Sequence, residues 1–479
     1  MARISLTLLV IAVLSFSRFC TCLREASTTI SNGTVVGVDD TANGVQKFLG
    51  IPFAEPPVGS NRLHQAVPLT KSFSTLEARA FGPSCYSSRD QGTASEDCLT
   101  LNIWRPTDLS ADNDSLPVLV WLYGGGLTNG YTADPRFEGT SITRISKEIG
   151  KPVILVSLNY RLGPFGFLNG KEMSELGLLN IGMLDQRLAL HWIQENIAAF
   201  GGDPRKVTLA GESAGAVSIY SHMMAYDGRD DGLFRGAILQ SGGAFPLTPP
   251  DTASFQKKLD CIRSLPVEVF RDKVGSSTGQ SVDGDFTRTS IQRALPAGKY
   301  VQVATIVGTN TDEGTTSAPT GINTTEELFD PVAKGYFRPK LLPNETVSAL
   351  ISMYPTNPKL GCPYNTGGTL LSPGSLDKMA CSIFGDVMQV APARMIARML
   401  ARDGVPVHSY RFNHLQQNTS ATFKGIGTGV EQAYVFSNVD SSHPWDQNMA
   451  YQMSAAWISF AHDLDPNTGS AGTTTNPQA

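Results

Sequence analysis

The sequence predicts an α/β fold in which a mostly parallel central sheet carries helices on both faces. Seven short apolar segments are predicted to be strands: 100–104, 117–123, 152–160, 206–210, 236–240, 303–308 and 407–412. Helical patterns lie between several of them, and the clearest spans 178–200 and ends at Gly201-Gly202, a typical C-terminal cap. Alternating strands and helices with apolar strands indicate a sheet covered on both faces. No Pro/Ser-rich linker divides the 479 residues, which favours one large domain.

The first 22 residues are predicted to be a signal peptide, which leaves 23–479 as the folded domain. An arginine near the start precedes an apolar run of eleven residues, which is too short to span a bilayer. A signal anchor is the alternative, but polar residues close the run. We therefore expect a secreted protein without a stable membrane span. Five N-x-[ST] sequons predict glycosylation in that compartment, at Asn32, Asn113, Asn323, Asn344 and Asn418.

Five cysteines follow the predicted leader. In an oxidising compartment, pairing by proximity predicts the disulfides Cys85–Cys98 and Cys362–Cys381 and leaves Cys261 alone.

Charge and motif content narrow the range of partners. The net charge of −5 and the pI near 5.8 provide no basic surface, so nucleic acid is not an expected partner. The sequence contains no metal-binding constellation and no nucleotide-binding motif, and it therefore implies no cofactor. It does not indicate an oligomeric state.

The segment 206–224 has the pattern of a nucleophile bend. It places Gly211-Glu212-Ser213-Ala214-Gly215 between a predicted strand and a predicted helix. A sharp strand–turn–helix bend exposes the serine hydroxyl, and the flanking glycines permit close backbone approach. A second G-x-S-x-G match at 275–279 follows a charged segment without a helical pattern, so we interpret it as a loop.

A glycine run supplies candidates for an oxyanion hole. Gly124, Gly125 and Gly126 directly follow the strand predicted at 117–123. Their N–H groups can turn toward a developing oxyanion together with the N–H of Ala214. A flexible turn is the alternative for an isolated glycine run.

Several segments together resemble the type-B carboxylesterase/lipase family, the cholinesterase-like branch of the α/β-hydrolases. They are FLGIPFAEPP (48–57), SEDCLTLNIWRP (95–106), WLYGGG (121–126), NYRLGPFGFL (159–168), GGDP (201–204), TLAGESAGA (208–216) and GTNTDEGT (308–315). The resemblance implies the α/β-hydrolase fold, Ser213 as the acyl-forming nucleophile and Gly124, Gly125 and Ala214 as oxyanion donors. It also implies Glu313 as the triad acid, and Cys85–Cys98 matches the family's first disulfide.

The resemblance does not extend to the catalytic base. The family carries its histidine in a G-x-x-H-x-x-E loop, whereas residues 425–431 of this chain read GIGTGVE and place Thr428 at that position. Threonine cannot act as a base at neutral pH, so efficient turnover is not expected. His414 and His443 are the candidates for a substitute base, and a structural role is the alternative for His414.

Taken together, the sequence predicts a secreted carboxylic ester hydrolase that forms an acyl intermediate on Ser213. Its substrate would be a small-molecule or lipid ester. The alternative is a catalytically inactive cholinesterase-like binding or adhesion protein, because such relatives keep the fold but lose members of the triad.

Overall fold

The computed structural model describes residues 24–87, 93–107, 115–242, 247, 259–273, 279–334, 342–370, 372–417 and 423–469. The predicted signal peptide lies outside these ranges, as do Asn113, Asn418 and most of the 275–279 motif. Of the other sequons, Asn323 and Asn344 are exposed. The amide nitrogen of Asn32 donates to the carbonyls of Leu69 and Lys71 at 3.1 and 3.2 Å. Glycosylation and the leader remain predictions.

A large mixed sheet forms the centre of the molecule. The described strands are β1 (Arg24–Ile30), β2 (Gly33–Asp40), β3 (Val45–Pro52), β4 (Thr75–Glu77), β5 (Ser84–Cys85), β6 (Ala94–Ser95), β7 (Thr100–Pro106), β8 (Leu116–Leu122), β9 (Ile154–Leu158), β10 (Gly202–Glu212), β11 (Gly236–Gln240), β12 (Ala304–Asn310) and β13 (Val407–Phe412). The sheet order is β1-β2-β3-β7-β9-β8-β10-β11-β12-β13, with β4 beside β2. All seven predicted strands are confirmed.

The two halves of this sheet differ in direction. From β9 to β13 each neighbouring pair is parallel, whereas β1, β2, β3, β7 and β9 pair antiparallel. Every residue of β8, β9, β11 and β12 is buried. Burial on both faces explains why these parallel strands have continuous apolar sequences.

Helices cover the sheet. They are α1 (Thr140–Glu148), α2 (Gly163–Phe167), α3 (Lys171–Glu175), α4 (Ile181–Asn196), α5 (Ala214–Gly228), α6 (Leu259–Ser264), α7 (Val267–Lys273), α8 (Ile291–Ala294), α9 (Thr325–Lys334), α10 (Asn344–Ser352), α11 (Asp377–Gly385), α12 (Ala391–Arg402), α13 (Gln432–Val435) and α14 (Pro444–Asp463). The predicted helix at 178–200 is α4 followed by a 3₁₀ turn, Ile197–Phe200. Gly201 ends it in the left-handed conformation, with φ of 86°. Within the described ranges, no helix combines the length and the apolar composition needed to cross a bilayer.

The cysteines follow the prediction only in part. The Cys85–Cys98 disulfide is present. The predicted Cys362–Cys381 disulfide is wrong in this structure, where both residues are buried free thiols and Cys261 is an exposed one. A hydrogen bond with Cys381 and burial raise the pKa of the Cys362 thiol.

Candidate active site

Strand β10 and helix α5 meet at Ser213. The backbone of this residue has φ of 53° and ψ of −119°, a conformation that is strained for a residue with a side chain. Its N–H donates to the carbonyl of Gln240 at 2.8 Å, and its own carbonyl accepts the N–H of Val217 at 3.0 Å. These bonds on both sides hold the serine at the bend between the strand and the helix.

The glycines on either side of Ser213 are required by close packing against the end of β8. A Cβ added to Gly215 would stand 2.0 Å from the carbonyl oxygen of Leu122. A Cβ added to Gly211 would stand 2.8 Å from the same atom. Real side chains do not approach this closely, so the bend has room only for glycine at both positions.

The glycine run after β8 lies against the nucleophile. A Cβ on Gly124 would stand 2.9 Å from the Cβ of Ser213 and 2.5 Å from the carbonyl oxygen of Glu212. Gly125 and Gly126 have φ of 116° and 67°, which other residues rarely adopt. Ala214 is the first residue of α5, where a backbone N–H has no partner within the helix. This arrangement favours the predicted oxyanion hole.

Glu313 begins a 3₁₀ turn, Glu313–Thr316, three residues after β12 ends at Asn310. Its side chain is 1 % exposed. The N–H of Asn310 donates to Oε1 of Glu313 at 2.6 Å, and the hydroxyl of Thr428 donates to Oε2 at 2.6 Å. The hydroxyl of Thr428 therefore contacts the predicted acid directly.

The loop that carries Thr428 is tied to the acid through its backbone. The N–H of Ile426 donates to Oδ2 of Asp312 at 2.8 Å, and the N–H of Asp312 donates to the carbonyl of Ile426 at 2.9 Å. The side-chain amide of Asn310 donates to the carbonyl of Gly427 at 2.7 Å. This network positions residue 428 independently of its side chain.

Three carboxyl groups are buried at this site. Glu212, Glu313 and Glu431 are 4 %, 1 % and 0 % exposed. Asn310 donates to Oε2 of Glu431 at 2.5 Å, and Gln240 donates to its Oε1 at 3.2 Å. Sequence reasoning missed Glu212, Glu431 and Asn310. The sequence did offer a signal for the two glutamates, because Glu212 lies within the motif at 211–215 and Glu431 ends the motif at 425–431.

Burial and mutual repulsion make these groups weak acids. Desolvation, followed by the charge of Glu431, raises the pKa of Glu313 to about 7. Desolvation and the charges of Glu431 and Glu313 raise the pKa of Glu212 well above its ordinary value. Desolvation also raises the pKa of Glu431. Like charges this deeply buried cannot all ionise at neutral pH.

Both candidates for a substitute base are engaged elsewhere. Nε2 of His414 lies 2.6 Å from Oδ1 of Asp446, and its ring packs edge-on against Tyr434. Nδ1 of His443 accepts the N–H of Trp445 at the start of α14. Both histidines thus contact the first turn of α14, and a role for either as a substitute base stays a prediction.

The central sheet and the bend at Ser213 define the chain as an α/β-hydrolase. Residues 24–478 match the model of the carboxylesterase family, and the chain belongs to this family. This confirms the resemblance inferred from the motifs.

Known relatives agree with this assignment. The chain is 32 % identical over 510 residues to the secreted triacylglycerol lipase LIP1 of Gibberella zeae, and the alignment covers 93 % of this chain and 84 % of that protein. It is 32 % identical over 513 residues to lipase 2 of Diutina rugosa, with 94 % and 88 % covered. The crystal structure of EstA from Aspergillus niger superimposes with a TM-score of 0.82 at 26 % identity, covering 94 % of this chain and 91 % of that one. Relatives that are named as secreted support an extracellular localisation.

Proposed function

We propose that this chain is an extracellular hydrolase of carboxylic esters that acts through an acyl intermediate on Ser213. The observation that carries the proposal is the strained bend at Ser213 in contact with Gly124. Retention of this geometry is expected of a nucleophile, because a disused site has no need of a strained serine. The relatives named as lipases support a small-molecule or lipid ester as the substrate.

In the proposed reaction, Oγ of Ser213 attacks the ester carbonyl carbon. The oxyanion that forms accepts hydrogen bonds from the N–H groups of Gly124, Gly125 and Ala214. Collapse of this intermediate releases the alcohol and leaves the acyl group on Ser213, and water then releases the acid.

Turnover is proposed to be slow because Thr428 stands at the position of the base. Loss of the serine or the histidine of a triad lowers turnover by roughly 10⁶-fold, while the oxyanion hole and binding retain roughly 10³–10⁴-fold over water. The hydroxyl of Thr428 donates to Glu313 but cannot accept a proton at neutral pH.

The test is hydrolysis of p-nitrophenyl butyrate by the wild type and by Ser213→Ala, with Thr428→His as the gain-of-function variant. We expect a slow wild-type rate that Ser213→Ala abolishes and a much faster rate for Thr428→His. If neither the wild type nor Thr428→His hydrolyses the ester faster than Ser213→Ala, the proposal is wrong.

A second candidate function is a non-catalytic binding or adhesion protein. The hydrogen bond from Thr428 to Glu313 favours it, because this bond satisfies the buried acid without any base. Binding of an ester or a protein ligand that is unaffected by Ser213→Ala, together with an inactive Thr428→His variant, would support this second function.

A further inference from the structure

Glu212 is a buried carboxyl group next to the nucleophile that the proposed reaction leaves without a role. A Cβ added to Gly124 would stand 2.6 Å from Oε2 of Glu212 and 2.9 Å from the Cβ of Ser213. The carboxyl group and the serine side chain therefore border one small volume above Gly124. A general base must lie within hydrogen-bond reach of the proton that it accepts, directly or through one water.

The other two buried carboxyl groups are more fully occupied. Glu313 accepts hydrogen bonds at both oxygens, from Asn310 and Thr428. Glu431 also accepts at both oxygens, from Gln240 and Asn310.

Glu212 accepts at Oε2 from the side-chain amide of Gln432, at 2.6 Å. Its Oε1 faces the loop that carries Thr428, 3.3 Å from where a Cβ on Gly429 would stand. The Glu212 carboxyl group therefore lies between Gly124, which is beside the serine, and the loop that carries Thr428.

We propose that Glu212 is the base that supports the residual reaction at Ser213 in this chain. This inference rests on the proposed function. The Glu212 carboxylate accepts the proton of the Ser213 hydroxyl as Oγ bonds to the carbonyl carbon. The resulting carboxylic acid returns the proton to the leaving alkoxide oxygen as the C–O bond breaks. In the second half, Glu212 accepts a proton from water as the water oxygen bonds to the acyl carbon. Glu212 then returns this proton to Oγ of Ser213 as the acyl–Oγ bond breaks and the carboxylic acid leaves.

The electrostatic surroundings of Glu212 give this role a pH dependence. The charged and titratable groups that act on Glu212 or respond to its charge are Glu313, Glu431, Arg136, Tyr160 and Tyr410. Burial and the two acidic neighbours outweigh Arg136, so the carboxylate forms only at a pH well above the ordinary carboxyl range. The wild-type rate should therefore rise with pH over the range in which the Glu212 carboxylate forms.

The test compares Glu212→Gln in the wild-type and Thr428→His backgrounds, with p-nitrophenyl butyrate between pH 6 and pH 10. Glutamine keeps the shape and can still accept from Gln432, but it cannot take a proton. In the wild-type background we expect kcat to fall at least ten-fold, whereas KM should change less than about three-fold. The increase of the hydrolysis rate with pH should disappear. In the Thr428→His background, where imidazole takes the proton, the loss should be smaller by a factor of three or more.

Three results would overturn the assignment. They are a wild-type rate no higher than that of Ser213→Ala, an unchanged rate in Glu212→Gln, and an equal fractional loss in both backgrounds. The last would indicate that Glu212 only positions the bend. Failure of the proposed function is distinguishable, because in that case Thr428→His also lacks hydrolysis that depends on Ser213.

Discussion

Thr428→His is the perturbation that tests the site most directly. The hydroxyl of Thr428 lies 2.6 Å from Oε2 of Glu313, so a side chain at this position is within reach of the predicted acid. The loop backbone is held by Asp312 and Asn310, which do not contact the substituted side chain.

The expected increase in kcat is limited by the contribution that a triad base makes to turnover. Full loss of the histidine costs roughly 10⁶-fold in turnover, which sets the upper limit. Residues around position 428 are arranged for a smaller side chain, with the hydroxyl of Thr316 at 3.0 Å from that of Thr428. We therefore expect kcat to increase by about 10²–10⁴-fold, which corresponds to about 3–5 kcal/mol of transition-state stabilisation.

The assay is initial-rate hydrolysis of p-nitrophenyl butyrate at pH 8, with thermal melting to verify the fold. Thr428→Asn is the matched control, because asparagine can donate to Glu313 but is not a base, and its rate should stay near that of the wild type. Ser213→Ala in the Thr428→His background should remove the gain. A folded Thr428→His variant whose kcat rises less than three-fold refutes the reasoning that residue 428 alone limits turnover.

Three stability predictions accompany this one. Burial raises the pKa of Glu313 from 4.5 to about 7, so its contribution to stability is full below pH 4.5 and is lost as the pH rises through 7. Glu313→Gln should therefore be more stable than the wild type at pH 8, by up to about 3 kcal/mol, and as stable as the wild type near pH 4.5. Urea unfolding that shows the same difference in stability at pH 8 and at pH 4.5 contradicts this prediction. Thr428→Val removes a donor to Glu313 and should lower the free energy of unfolding at pH 8 by about 1–3 kcal/mol, which an unchanged melting temperature would disprove. Asp185→Asn breaks the buried pair with Arg161, in which Nη2 lies 2.6 Å from Oδ1, and should destabilise the fold by about 3–5 kcal/mol in urea; a loss below 1 kcal/mol argues against it.

The parallel half of the sheet could be predicted from sequence because burial on both faces leaves a local mark. Strands β8, β11 and β12 are continuous apolar runs, and each coincides with a predicted segment. The antiparallel strands β1 and β2 were not predicted, since one face of each is partly exposed and their sequences mix polar with apolar residues. Strand pairing adds contacts between distant segments, which local patterns do not reveal.

The sequence could predict a site residue only where the residues that mark its role are its neighbours in the chain. Ser213 could be identified because the bend places its requirements in neighbouring residues, two of which are glycines with no room for a Cβ. The carboxyl cluster could not, because Glu212, Glu313 and Glu431 are separated by about a hundred residues each and meet only in the folded chain. The wrong prediction of a Cys362–Cys381 disulfide has a similar cause, since closeness in sequence does not determine whether two cysteines are bonded in the folded chain.

Under the proposed function, the hydroxyl of Thr428 explains how the fold accommodates a threonine at the expected position of the base. A buried carboxylate that loses its donor destabilises the protein, so replacing the histidine with an apolar residue would expose Glu313 to that penalty. Threonine supplies a donor to the same oxygen, and the backbone contacts of the loop do not depend on the side chain. Under the proposal, a triad histidine would meet two requirements that position 428 now separates. Threonine donates to the buried acid, whereas the proton of Ser213 needs another acceptor, and the proposed acceptor is Glu212, whose carboxyl group lies beside the serine.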